Sequence, residues 1–327
     1  MIDYRDRRTI LVTLGIVLLL AGIGCAFIGP VELHVFYLFS AGGRFHYEGF
    51  RFGSFMLGNI ALQVAGYYLI AAVLIPLGYG HVALRRWVRP AALALLWTWL
   101  LLGLPLLVIL FFMTVSVKAF STAGGVVFVV LLGASYFLVP WLGIRFYQGR
   151  NVRSTLEARD PQPGALEARP VAILVICLLD LFFLIALHVP LLYRGLFPVF
   201  GTLVGDLEGT YLTAAAVLGL GLLLWGTWQQ RAWAWWGSAA FYGLLAASWL
   251  VTFAQTSYAE LLAWLQFAPT EMEALSGIPL QGYEIGLFVG LPMLACLAVI
   301  LASRRHFGRS PAPATLSSRP PGGVSAG

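Results

Sequence analysis

Apolar residues in this chain come in long unbroken runs, not at the spacing of a half-buried helix or strand. Eight runs lie near 9–29, 55–80, 90–115, 121–144, 170–192, 210–228, 232–254 and 284–303. Each is bounded by Arg, Pro or polar clusters. A helix rises about 1.5 Å per residue, so about 20 apolar residues cross roughly 30 Å of hydrocarbon. A helix also satisfies its own backbone hydrogen bonds, which lipid cannot do for it. The pattern predicts an all-α membrane protein, a polytopic bundle of eight transmembrane helices.

Composition agrees. Of 327 residues, 60% are hydrophobic and only 10% charged, against about 25% charged in a soluble domain. There is too little polar surface here to cover a water-soluble globule. The lipid bilayer is therefore the expected partner of most of the surface, with a membrane-protein partner or a homo-oligomer left open. The net charge of +6 is scattered between spans and forms no basic domain, so no nucleic-acid partner is expected.

The charges also orient the chain. Sixteen of the twenty basic residues fall on one side: Arg5, Arg7, Arg8, Arg85, Arg86, Arg89, Arg145, Arg150, Arg153, Arg159, Arg169, Arg231, Arg304, Arg305, Arg309 and Arg319. Arg44, Arg51, Lys118 and Arg194 fall on the other. The positive-inside rule places the sixteen in the cytoplasm of a prokaryotic inner membrane, with both termini there, as an even span count requires. The opposite side carries Glu32, Glu48, Asp206, Glu208, Glu260, Glu271, Glu273 and Glu284. Acids have little topological weight, and solvated loops account for them. LAGIGC at 20–25 hints at a cleaved lipoprotein signal, but Gly22 stands where an aliphatic residue is usual, so the first run reads as a retained anchor.

The charged stretch 145–169 divides the chain into a first four-helix half, 1–144, and a second, 170–303. The stretch itself reads as a cytoplasmic linker. GYGHVALRRW (78–87) and LLWGTWQQRAW (223–233) both leave a span through Gly and re-enter at Trp. RFYQGR (145–150) and RRHFGR (304–309) both close the fourth span of a half. These likenesses raise a parallel repeat, although the aromatic belt and the arginine bias produce similar edges without one. Residues 304–327, rich in Pro, Ser and Gly, read as a disordered cytoplasmic tail.

Two loops on the acidic side invite structure. GRFHYEGFRFGSF (43–55) alternates and suits a hairpin turning at Glu48–Gly49, with Phe45, Tyr47, Phe50 and Phe52 on one face. YAELLAWLQF (258–267) suits a short interfacial helix that turns Leu261, Leu262, Trp264 and Leu265 toward lipid. After Pro269, Thr270 and Glu273 have capping-box spacing, and Gly277 marks a helix stop. Together these loops would cap the bundle.

The candidate polar site lies inside the membrane. In CLLDLFFLIALHVP (177–190), Asp180 sits about 15 Å past Pro170, near the midplane. A charge there costs at least about 2.5–3.5 kcal/mol. The acid must therefore carry its proton, face partners inside the bundle, or touch water in a cavity. His188 follows about 80° around and about 12 Å further out, too far for a direct bond. Asn59, Gln63 and Tyr67 form a second polar stripe on span 2, of the kind that joins helices.

Other chemistry is missing from the sequence. There is no metalloprotease signature, nucleophile elbow, phosphate loop or dinucleotide fingerprint. His34, His46, His81, His188 and His306 show no metal-ligand spacing. Cys25, Cys177 and Cys296 lie inside spans and read as packing residues. No catalytic residue, metal or cofactor is expected. Three readings follow: a non-enzymatic membrane component, accessory subunit or sensor; a small-solute or proton-coupled transporter using Asp180; and a lipid-modifying enzyme using acids and His of the acidic face. The transporter requires Asp180 to line a cavity, and an Asp180 closed against a single hydroxyl removes its chemical support. The enzyme requires two acids or His residues converging in a cleft. Ala239, Gly243 and Ala247 have the spacing of a helix-packing face.

Overall fold

The computed structural model describes residues 5–40, 42–45, 47, 50–117, 122–278 and 280–308. Among them, eight helices are long and apolar enough to span a membrane. They are α1 (Arg8–Phe39), α2 (Phe55–Val82), α3 (Val88–Val117), α4 (Thr122–Gly133) with α5 (Val139–Gln148), α7 (Val171–Ala186), α8 (Asp206–Trp228), α9 (Ala232–Gln255) and α12 (Gly282–Ala302). One π-helical turn, Ala134–Leu138, joins α4 to α5. Consecutive spans are antiparallel, as short connections dictate. The chain is an all-α polytopic membrane protein.

The largest departure from the expected boundaries is α1. It continues through Pro30 to Phe39 instead of ending near 29. Proline inside a membrane helix gives up one backbone bond, and neighbouring elements make that tolerable. Here the neighbour is α2. A Cβ on Gly29 would meet the Tyr68 ring at 2.7 Å. The contact continues down the pair at Gly22 against Ile75 and at Gly15 against Gly78.

The core falls into three clusters. α7, α8, α9 and α12 share one, which includes Ala94 of α3. α1, α2, α3 and α5 share a second near the arginine-rich face. The third lies under the acidic-face cap.

Residues 145–169 are folded. α5 runs to Gln148, and α6 (Arg150–Arg159) buries Val152, Thr155 and Leu156 against the second cluster. Arg86 ties the segment down: its Nε donates to Glu167 at 2.6 Å and its backbone N–H to Asp160 at 3.2 Å. Arg153 bridges to Glu157 at 2.8 Å and holds that carboxyl below the usual carboxylate range. Residues 304–308 are folded too, contrary to the disordered tail expected there. Arg304 lies over Trp235 and Trp236, and the Gly308 N–H donates to the Gln230 carbonyl. Residues 309–327 lie outside the described residues.

The likeness between GYGHVALRRW and LLWGTWQQRAW extends to the backbone. Leu84 N–H donates to His81 O and Arg85 N–H to Gly80 O; Gln230 N–H donates to Thr227 O and Arg231 N–H to Gly226 O. Both are Schellman turns with a left-handed non-glycine residue, Leu84 at φ 50° and Gln230 at φ 58°. In each, a Cβ on the glycine would strike the following Trp ring, Trp87 or Trp233. The halves nevertheless pack differently. α1 lies at the edge on α2, whereas α7 is central, with Ile173, Ile176 and Leu179 buried.

The acidic face carries the cap. A two-stranded antiparallel hairpin, β1 (Phe197–Val199) and β2 (Thr202–Val204), turns at Phe200–Gly201, both at positive φ. Ser248 and Thr252 of α9 accept the N–H groups of that turn. Helices α10 (Tyr258–Leu265) and α11 (Pro269–Ser276) complete the cap. Leu261, Leu262 and Leu265 are buried against Phe253 and Leu275, so this helix points its apolar face into the protein and not toward lipid. The described residues of 43–55 form turns and bends without a strand. His46, Glu48 and Gly49, which the expected hairpin needs, lie outside the described residues.

Candidate functional site

Asp180 is fully buried, in the middle of the first core cluster. Its position on α7 turns it toward α9 and α12, away from lipid. Tyr242 of α9, also fully buried, donates its hydroxyl to Asp180 Oδ1 at 2.9 Å. Phe183 packs edge-on against the Tyr242 ring, with centroids 5.5 Å apart. Oδ2 has no hydrogen-bond partner among the described residues. The acid is thus matched to one hydroxyl among the buried apolar side chains of the first core cluster.

The other residues of the polar set are not brought to it. His188 is exposed just beyond α7, with Nδ1 on the Leu184 carbonyl at 2.7 Å. Asn59 and Gln63 are exposed and Tyr67 is half-buried on α2, and none bonds to Asp180. A Cβ on Gly243 would meet Leu297 of α12 at 3.9 Å, and Ala247 is exposed, so the Ala239–Gly243–Ala247 face packs in part within the chain.

Slots between the helices include, among the described residues, one of about 310 Å³ beside Leu174 and Leu178 and one of about 380 Å³ beside Phe182 and Phe183. Both are lined by apolar side chains, and Asp180 lines neither.

Four acids of the acidic face, Asp206, Glu260, Glu271 and Glu284, have structural partners. Glu271, 7% exposed, accepts the Phe55 N–H on Oε2 at 3.1 Å and the Met56 N–H on Oε1 at 3.0 Å. Ser54 accepts the Leu57 N–H. Three of the otherwise unpaired amides at the start of α2 are thereby satisfied, two of them by a helix 216 residues later. Glu260 closes a capping box with Ser257, whose backbone N–H holds its carboxyl below the usual range. Glu284 closes a second capping box, with Gln281, at the start of α12. Asp206 accepts from Arg194 at 3.0 Å, and that guanidinium also covers Trp264. Thr270 and Glu273 do not form a capping box. The Thr270 hydroxyl bonds to Tyr47 at 2.6 Å, while Gly277 caps α11 as expected.

Comparison with protein-family models, with curated proteins and with solved structures finds no match. The residues themselves therefore carry the argument.

Sequence reasoning missed three groups. Tyr242 is hidden in an aromatic-rich span and gives no local sign of its role. His81, fully buried, donates its Nδ1–H to the Leu77 carbonyl and bonds through Nε2 to the Tyr147 hydroxyl, joining the ends of α2 and α5. Its signal was its place in the Gly-to-Trp turn. Glu271 has no local signal, because its partners are remote in sequence.

Removing the hydroxyl in Tyr242→Phe leaves Asp180 with no partner and is expected to destabilise the protein by about 1–3 kcal/mol. Asp180→Asn keeps an acceptor for Tyr242 and is expected to cost less than Tyr242→Phe. Thermal unfolding in detergent checks both. A loss in Asp180→Asn as large as in Tyr242→Phe would mean that the carboxyl does more than accept this bond.

Proposed function

We propose that the chain is a non-enzymatic component of a prokaryotic cell membrane, an accessory subunit or sensor, with its arginine-rich face and both ends in the cytoplasm. The closure of Asp180 against Tyr242 carries this reading. Asp180 has a structural partner in Tyr242 and lines neither of these two slots, which speaks against the proton-coupled transporter. Among the described residues, Asp206, Glu260, Glu271 and Glu284, four of the acids on which a lipid-modifying enzyme would draw, are each engaged at a helix start. The exposed Val126, Val127, Val130 and Leu131 of α4 give a lateral surface on which a partner helix can pack.

The test is reconstitution into liposomes under an imposed pH gradient, wild type beside Asp180→Asn. The expected result is no protein-dependent proton flux in either. A flux present in wild type and lost in Asp180→Asn would replace this reading with the transporter.

A further inference from the structure

The 310 Å³ slot lies in the half of the bundle next to the arginine-rich face. Val73 of α2, Ala94 of α3, Leu174 and Leu178 of α7, and Leu224 of α8 form its walls, and Trp228 closes its end. Its volume is at the lower end of the roughly 300–1,000 Å³ typical of ligand sites. Val73 and Leu181 border it and are about two-fifths exposed, so the slot opens sideways, into hydrocarbon.

At the polar end stands Arg169. Its guanidinium lies over the Trp228 ring, 5.2 Å from the centroid. Among the described residues it pairs with no carboxylate, unlike Arg86, Arg153 and Arg194. The nearest acid in sequence, Glu167, is engaged by Arg86 and by the Gly164 N–H. A dry slot open to one leaflet thus ends in a fixed cation at headgroup level. Arg recognises a phosphate through paired, charge-assisted hydrogen bonds.

We propose that this slot binds one anionic glycerophospholipid of the leaflet on the arginine-rich face, an acyl chain lying between α2 and α7 and the phosphate on Arg169. The order of the parts matches the lipid: apolar within the bilayer, cationic at its edge. A soluble phosphate would satisfy Arg169 and leave the slot unfilled. The proposal is independent of whether the chain serves as a subunit or a sensor.

Native mass spectrometry of the detergent-released full chain tests it. Phosphatidylglycerol and phosphatidylcholine of the same acyl composition are added in parallel. Wild type is expected to retain one phosphatidylglycerol and little phosphatidylcholine. Arg169→Gln is expected to weaken that adduct by roughly tenfold. Val73→Trp, at the half-exposed rim, fills the slot without disturbing the core and is expected to weaken it similarly. Arg145→Gln, on the same face but stacked on Trp141, keeps it. Size exclusion and thermal unfolding confirm that each variant is folded. Retention of the adduct in folded Arg169→Gln and Val73→Trp overturns the proposal, as does equal retention of the two lipids by wild type. Loss in Arg169→Gln with full retention in Val73→Trp also overturns it, since the phosphate would then be held at the surface without the slot.

Discussion

Glu271→Ala is expected to lower stability by about 2–4 kcal/mol, because it strips two charge-assisted hydrogen bonds from a buried site. The carboxylate receives the N–H groups of Phe55 and Met56, one on each oxygen. Alanine leaves both donors unmet where α11 covers the start of α2. Glu271→Gln keeps one acceptor oxygen and is expected to fall between alanine and wild type. The effect should be visible in two measurements. Thermal unfolding shifts downward, and hydrogen exchange accelerates at the start of α2 and in α11 together. An unchanged unfolding temperature in Glu271→Ala would show that the cap is held by its apolar contacts alone, through Leu261, Leu262, Leu265 and Leu275.

The second large effect concerns the join between α1 and α2. A Cβ at Gly15 would lie 2.7 Å from His81 Cβ and 2.8 Å from the Gly78 carbonyl oxygen. Both are fixed atoms, one of them backbone, so the helices must separate to admit a side chain. Gly15→Leu is expected to cost at least about 3 kcal/mol, beyond the usual range for overpacking by a methylene or two. Gly24 on the same helix supplies the control. A Cβ there meets nothing within 4 Å, so Gly24→Leu adds apolar surface facing lipid and should be close to neutral. Unfolding temperatures of the two variants make the comparison. Equal behaviour would mean that α1 does not lie on α2 in this register.

Both predictions rest on contacts that the sequence hides to different degrees. Three of the four glycines of α1 stand at 15, 22 and 29, a seven-residue spacing visible in the chain, yet nothing local says that their partners are Gly78, Ile75 and Tyr68. The Glu271 cap is less visible still. Spacing alone favours Thr270 and Glu273 as a capping box, because that motif is local. The tertiary structure gives Thr270 to Tyr47 and Glu271 to α2. The hairpin at Phe200–Gly201 has no local signal either; it is held because Ser248 and Thr252 of α9 receive its amides.

Asp180 shows the division inside one residue. Its isolation in an apolar run announced that it needed a partner, and the midplane depth followed from counting residues. That the partner is Tyr242, 62 residues on, depended on the rotation of α7 against α9.

What the sequence determined by itself is the solvent, the eight spans with most of their starts and ends within a few residues of those observed, and the segregation of arginine to one face. These are local properties, since a membrane helix satisfies its own backbone and its hydropathy is read from consecutive residues. What only the tertiary structure decided is which polar groups meet: Asp180 with Tyr242, Glu271 with α2, His81 with Tyr147, and Arg169 at the mouth of a slot. Those pairings depend on helix rotation and crossing. In lipid these are set by close packing between small residues and by a few hydrogen bonds, because apolar surface gains little by leaving one hydrocarbon for another.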